Sequence, residues 1–515
     1  MLAEPIQELI RRVEAAEEKG RETPAGEQIL EVNRLIAKAA TFYEKVRYLI
    51  DYREEHTIRR SAIERILKRR VFIEQQTHIG AVLIQELADG QYLPKEQATE
   101  ELSEEIDRIV WKFLGLIDAA KVNGNISRRL ISFAATEIDA QLSPLQYAVD
   151  ESTAEAFYKT LKGHAFVSGV SEEVVNIQLY CAIWRSLLSA DHERLAYALW
   201  LLYVPEWRKP ELDIANVAGK LTGIVSHIHA AVENQLQWQL AQKIKNESIY
   251  FHIIREVLQQ NGAGAEQVLN SDSELDAFTR EFLEKKYEKE NERIRSSGIR
   301  AVIYLFLTKM AVAIAVEVPY EFFVLGRIHY FPLSINILFH PLLLFTLTRR
   351  VGSLDEKNTE AIIKGVHGVL YEGKARTIRI RNTYTRLTFA FGVLYLALIV
   401  FVFGALIGIL QLLNFNVVSI ILFLFFLALV SYFAFRIRYH ARKWKVVENQ
   451  GALSLIASVL AIPVVRTGRW LSQTFSSINV FVLILDFIIE TPFKRLLNFS
   501  NQFLVYLREK AEELR

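Results

Sequence analysis

Between Leu387 and Phe435 the chain reads LTFAFGVLYLALIVFVFGALIGILQLLNFNVVSIILFLFFLALVSYFAF, without one charged side chain. As a helix, Leu387 to Leu410 would be about 36 Å long at 1.5 Å rise per residue. That exceeds the roughly 30 Å hydrocarbon core of a bilayer and allows a crossing with some tilt. Val417 to Phe435 is long enough to return, and only the uncharged Gln411–Asn416 separates the two runs. Two such runs back to back are out of place in a water-soluble core. The expectation is a transmembrane helical hairpin over 387–436.

Its flanks set an orientation. Arg376, Arg379, Arg381 and Arg386 precede it; Arg436, Arg438, Arg442 and Lys443 follow it, with Trp444 as an interfacial aromatic. Basic residues near span ends stay on the cytoplasmic side. These nine residues are therefore expected at the membrane interface, with Asn414 facing out and both termini cytoplasmic. A bacterial inner membrane suits this pattern, as does an N-terminus that lacks the apolar core of a signal peptide.

A net charge of +2 hides a split. From Gly298 onward Lys and Arg outnumber Asp and Glu by 24 to 12; before it, acids outnumber bases by 47 to 37. The basic part suits an anionic leaflet, and the acidic part argues against a nucleic-acid partner. The single cysteine, Cys181, excludes an internal disulfide and a cysteine metal cluster.

Residues 1–297 read as an acidic, all-helical cytoplasmic domain, a bundle or an α-solenoid-like stack. Apolar residues from Ile29 to Ile50 recur at helical spacing. The run of Arg59, Arg60, Arg65, Lys68, Arg69 and Arg70 is either a lipid-binding basic helix or a face balanced by Glu54, Glu55, Glu64 or an acidic neighbour; the second is expected. Breaks fall at Asp89-Gly90, Asn123-Gly124, Ser143-Pro144, Pro205–Pro210 and Asn261–Gly264, and no strand ladder is visible. Ser171 and the Asp191-His192-Glu193 cluster read as helix caps.

Residues 298–350 are apolar but interrupted by Lys309, Glu317, Glu321, Arg327, His329 and His340. Two ordinary spans, a re-entrant hairpin and interfacial helices all suit them; a re-entrant or interfacial segment is expected. Residues 351–386 form a basic cytoplasmic connector, in which KARTIRIR is a short strand or an extended arm. In 437–515, a short helix ending at Pro463 precedes INVFVLILDFIIE, too short to span, and a last amphipathic helix opening at Thr491-Pro492.

The chain is therefore expected to be all-α: a large cytoplasmic helical domain followed by a small membrane domain with one hairpin and short re-entrant or interfacial helices. GxxxxGK[ST], HExxH and GxSxG are absent, so neither an enzyme nor a cofactor is expected. His229 with Glu233 has metal-ligand spacing on one helical face, with His227 on another, but the pair alone is common by chance and no metal is expected. Lys309, Glu317 and Glu321 are the candidates for an ion or proton pathway, set against a buried structural pair or snorkelling groups. Gly404 and Gly408 form GxxxG, and Gly392 lies near the same face, as candidate helix-packing positions. The leading expectation is a non-enzymatic membrane scaffold, a homo-oligomer in the lipid bilayer that presents its helical domain to cytoplasmic protein partners. An oligomeric channel or transporter using Lys309, Glu317 and Glu321 is the alternative, and a membrane-shaping protein a third.

Overall fold

The structure is a computed structural model describing residues 2–22, 55–349 apart from 91, 95–96, 123 and 210, 356–373, 376–380, 388–442, 444–447 and 452–477. Of these described residues, 83% are helix and 2% strand. The expected helix over 29–50, INVFVLILDFIIE and the final helix lie outside the described residues.

The chain divides into two compact units, the first made of Met1–Glu284 with Asp355–Thr383, the second of Lys285–Leu354 with Tyr384–Arg515. The first is therefore discontinuous. The boundary expected at 297 falls inside one helix, and much of the expected connector belongs to the first unit.

In the first unit, α1 (Glu4–Glu22), α2 (Glu55–Phe72), α3 (Gly80–Asp89), α4 (Glu100–Ala120), α5 (Asn125–Gln141) and α6 (Pro144–Leu161) come one after another with short breaks at the Gly and Pro positions. Thr99 caps α4 by accepting from Leu102 N–H, and Gly124 supplies the positive φ that opens α5. Next come α7 (Glu172–Leu188), α8 (His192–Tyr203), α9 (Ile214–Glu233), α10 (Leu236–Lys243), α11 (Lys245–Asn261) and α12 (Ala265–Asn270). Asp191 caps α8 by accepting from Arg194 N–H at 2.9 Å, whereas Ser171 precedes α7 without a side-chain cap bond. Trp184, Trp200, Trp207, Tyr197, Phe113, Phe133, Phe157 and Phe251 fill the core. Two three-residue strands break the all-helical expectation. Ala165–Val167 (β1) pairs in parallel with Ile378–Ile380 (β2), so KARTIRIR is partly a strand.

The basic run of α2 is internally matched. Arg59 Nε donates to Asp139 at 2.6 Å, Arg60 to Asp191 at 2.6 Å and Glu64 at 2.9 Å, and Arg69 and Arg70 to Glu86, each at 2.5 Å. The acidic neighbours that balance it lie on α2 itself and on other helices of the unit.

Helix α13 (Asp272–Val312) contributes to both units and continues through Gly298, where the sequence suggests a boundary. In the second unit it leads into a π-helical turn, Ala313–Glu317, then α14 (Val318–Phe323) and α15 (Tyr330–Arg349). After α16 (Glu356–Tyr371), which packs on α11 in the first unit, come α17 (Thr388–Leu412), α18 (Val417–Arg442) and α19 (Ala452–Ser477). Among the described residues, five helices are long and apolar enough to cross a membrane: Asp272–Phe323, Tyr330–Thr348, Ala390–Leu412, Val417–Ile437 and Leu455–Thr474. Residues 299–349 are thus built mainly of two long helices rather than a set of short ones.

The short helix expected to end at Pro463 instead runs through it to Ser477. Proline removes one intrahelical bond, but in an apolar setting a packed neighbour keeps such a helix whole. The neighbour is α18. A Cβ on Gly468 would lie 1.9 Å from Ala428 O and 2.9 Å from Tyr432 Cβ, so only glycine permits this approach. Helix α18 packs most extensively on α19 and α15, and the chief neighbour of α17 is α19 rather than its sequence neighbour α18. One apolar cluster joins Val402, Leu410, Phe415, Phe423, Leu427 and Val464; a second joins Leu344, Val430 and Ala434.

Candidate functional site

In a regular α-helix Glu317 would sit about 80° around the axis from Lys309, and Glu321 about 120°. The π-helical turn changes this. Pro319 has no N–H to serve the carbonyl four residues back, at Ala315, and the preceding turn widens, with Val318 N–H donating to Ala313 O. The extra residue rotates the rest of the helix by about −100°, which brings Glu317 and Glu321 to within about 20° of the line of Lys309. All three side chains are buried, each at 2% exposure or less.

Lys309 and Glu317 do not touch. Asn336 stands between them: Lys309 Nζ donates to Asn336 Oδ1 at 2.6 Å, and Asn336 Nδ2 donates to Glu317 Oε1 at 2.5 Å. The two partners fix which end of the amide is oxygen. Asn336 Nδ2 also lies 3.5 Å from Ser419 O, and the Ser419 hydroxyl beside it is buried without a hydrogen-bond partner. Lys309 Nζ lies 4.2 Å from the centroid of the Phe426 ring, a cation–π contact. One turn beyond Asn336 on α15, His340 places Nδ1 3.2 Å from Asn336 O and Nε2 2.9 Å from Phe423 O. A neutral imidazole has one N–H and can donate to only one of these oxygens.

The polar strip continues to the turns joining these helices. Glu321 Oε1 accepts from Asn416 Nδ2 at 2.7 Å, and Oε2 accepts from His329 N–H at 2.6 Å. Asn416 also caps α18 by accepting from Ser419 N–H at 2.8 Å. His329 is partly exposed, with Nδ1 3.7 Å from Glu321 Oε2. From Glu321 to Lys309 the strip extends about 18 Å along the helix axis, roughly half a bilayer. Chemically it is two carboxylates, an ammonium group, two imidazoles, two amides and a hydroxyl; at the centre of a bilayer an ionised group would cost about 2.5–3.5 kcal/mol by insertion scales.

The structure thus brings together the three expected pathway residues and adds Asn336, His340, Asn416 and Ser419. The sequence signal for Asn336 is its spacing of four from His340 in an otherwise apolar run.

The packing glycines stand differently: a Cβ on Gly392, Gly404 or Gly408 meets nothing within 4 Å, and the close approaches among the described residues of the second unit are Gly468 on α18 and Gly298 on Thr348. Of the interface residues, Arg376 and Arg379 belong to the first unit, Arg379 on β2. Arg436 is exposed late in α18, and Arg438 and Arg442 fall in its last turns. Arg381, Arg386 and Lys443 lie outside the described residues. Trp444 is not an exposed interfacial ring: it is buried, with Lys286 Nζ 5.4 Å from its ring centroid and its carbonyl accepting from Tyr287 OH at 3.1 Å. No family model, curated protein or solved structure matches the chain.

Proposed function

We propose that this chain is an integral membrane protein that moves protons, as a channel or transporter subunit, through the strip from His329 and Glu321 to Glu317, Asn336 and Lys309. One observation carries the reading: a buried lysine and a buried glutamate share one asparagine amide instead of pairing directly. A direct pair would be a static clamp. A shared amide leaves each charge with a partner that depends on the other's state. Protonating Glu317 removes the anion to which Asn336 Nδ2 donates, and the amide becomes free to rearrange around Lys309. The π-helical turn is a second support, since such turns are frequent at functional sites.

The course of the chain supports two crossings over 299–349. Residues up to Glu284 and those from Asp355 to Thr383 share one unit, so the intervening segment must bring the chain back to the side it left. A crossing out by α13 and back by α15 does this, and α17 and α18 then form the second outward loop. With the basic flanks inside, the first unit is cytoplasmic and Asn414 faces out. Cys181 helps the topological test, because burial pushes its thiol up to about 12 and leaves it inert to reagents. A cysteine at Asn414 should react with an impermeant thiol reagent outside intact cells, and one at Asn449 should not.

The scaffold reading rests on the first unit having a core of its own, independent of the strip; docking of cytoplasmic partners there is compatible with transport. Homo-oligomer formation through Gly392, Gly404 and Gly408 belongs to the same proposal. The deciding experiment is proton flux into liposomes holding the purified protein and an internal pH dye, under an imposed gradient. Flux above that of empty vesicles, lost in Glu317→Gln and Lys309→Met variants that keep their folded circular dichroism, is expected. Wild-type flux equal to that of empty vesicles, or unchanged flux in both variants, rejects the transport reading.

A further inference from the structure

We propose that His192, His229 and Glu233 form a binding site for a divalent metal ion of the zinc class, which ties the start of α8 to the end of α9. The proposal concerns the first unit and is independent of proton movement in the second. His229 and Glu233 are four apart on α9, on one helical face, and the fold adds His192, the first residue of α8. One ligand atom from each of the three lies within 4.8 Å of the others, and His192 Nε2 is 3.6 Å from Glu233 Oε1. Tetrahedral zinc with bonds of about 2.1 Å needs ligand atoms about 3.4 Å apart, so small side-chain movements close the set.

The backbone carrying these ligands is held in place. Leu195 on α8 and Ile228 and Val232 on α9 are buried, which fixes the rotation of both helices and leaves 229 and 233 at the exposed edge. Asp191, which caps α8, is anchored to Arg60 at 2.6 Å. The nearby cation Arg185 is already engaged, donating to Gln237 Oε1 at 2.6 Å and lying 4.5 Å from the Trp238 ring centroid. Two imidazoles and one carboxylate suit zinc, cobalt or nickel rather than calcium or magnesium, which take all-oxygen shells. Three protein ligands leave a fourth position for water.

The test uses tag-free, full-length protein in detergent, titrated with Co²⁺ alone and monitored by its visible d–d absorption. One equivalent bound with intense, tetrahedral-type bands, bleached when Zn²⁺ is added, is expected. Binding should weaken more than about tenfold in His192→Ala and His229→Ala, since even groups that only support a ligand contribute that much. His227→Ala, on another face of α9, should bind normally. Zn²⁺ should raise the melting temperature of the unsubstituted protein and leave that of His229→Ala unchanged, and circular dichroism confirms that each variant is folded. Absence of equimolar binding, or bands that survive in both histidine variants, overturns the proposal.

Discussion

Buried charge is handled in two ways in this molecule. At Asp150 and Arg60 in the first unit it is answered directly. Asp150 is buried and accepts from Arg194 at 2.7 Å and Arg255 at 2.5 Å, and buried Arg60 is held by Glu64 and Asp191. In the second unit Lys309 and Glu317 meet each other through Asn336, with Lys309 also lying over the Phe426 ring. The first arrangement fixes helices to one another and has one stable state. The second has a neutral, reorientable group between two charges, so a change at one end is felt at the other. The difference separates charges that hold a fold from charges that can act in one.

The largest effect is expected at Asp150. Asp150→Ala strands two partly buried guanidinium groups, and the first unit should lose about 3–5 kcal/mol, read from denaturant melts of the full-length protein. Asn336→Leu is the counterpart in the second unit. It leaves a buried ammonium and a buried carboxylate without their shared amide, at about 1–3 kcal/mol for each stranded group. Detergent melts should register that loss, and flux should disappear while the first unit keeps its melting transition. If Asn336→Leu were as stable as the unsubstituted protein, the amide would not be bridging the two charges.

Pro319→Ala sharpens the same point without touching a charge. It restores the missing N–H and lets the widened turn relax to an ordinary helix, rotating Glu317 away from Asn336. Stability should fall by about 1–3 kcal/mol, the cost of leaving the buried Glu317 carboxylate without the amide, while flux falls several-fold. Equal flux would mean that the π-helical turn does not position the carboxylates.

The smallest effect is expected at Glu247, which lacks a direct counter-ion. Its side chain is buried with one oxygen unpartnered, and burial, opposed by Arg376, raises its pKa above 4.5. A folded-state pKa above the unfolded value means that the cost is absent in acid and grows as pH rises through that window. Glu247→Gln should therefore raise the melting temperature at pH 8, with the gain shrinking to nothing below pH 4.5. A gain that grew in acid would contradict the assignment.

Much of the helical framework is legible in the sequence because its signals are local: the uncharged run at 387–435, the Gly and Pro breaks, and the acids after Thr99. Lys309, Glu317 and Glu321 stand out as charges in apolar surroundings. The feature that joins them is not local. The π-helical turn depends on where Pro319 falls relative to Lys309, and a regular 3.6-residue spacing would place the carboxylates on a different face from Lys309. Asn336 is an ordinary polar residue until α15 lies beside α13. Pro463 and Gly298 mislead for the converse reason. Each is a helix breaker by propensity, and it is overridden by packing of its helix, at Gly468 on Ala428 and Tyr432 for the first and at Gly298 on Thr348 for the second. The pairing of β1 with β2 joins residues more than two hundred positions apart, beyond any short-range pattern.

The most direct test is the double variant Lys309→Met/Glu317→Gln, with folding and proton flux measured on the same preparation. It removes both charges together and keeps side chains of similar size, so neither charge is stranded. If the strip is a proton site, the double variant folds with a melting temperature near that of the unsubstituted protein and carries no flux. Flux retained in the folded double variant would show that the two charges serve only to hold α13 against α15.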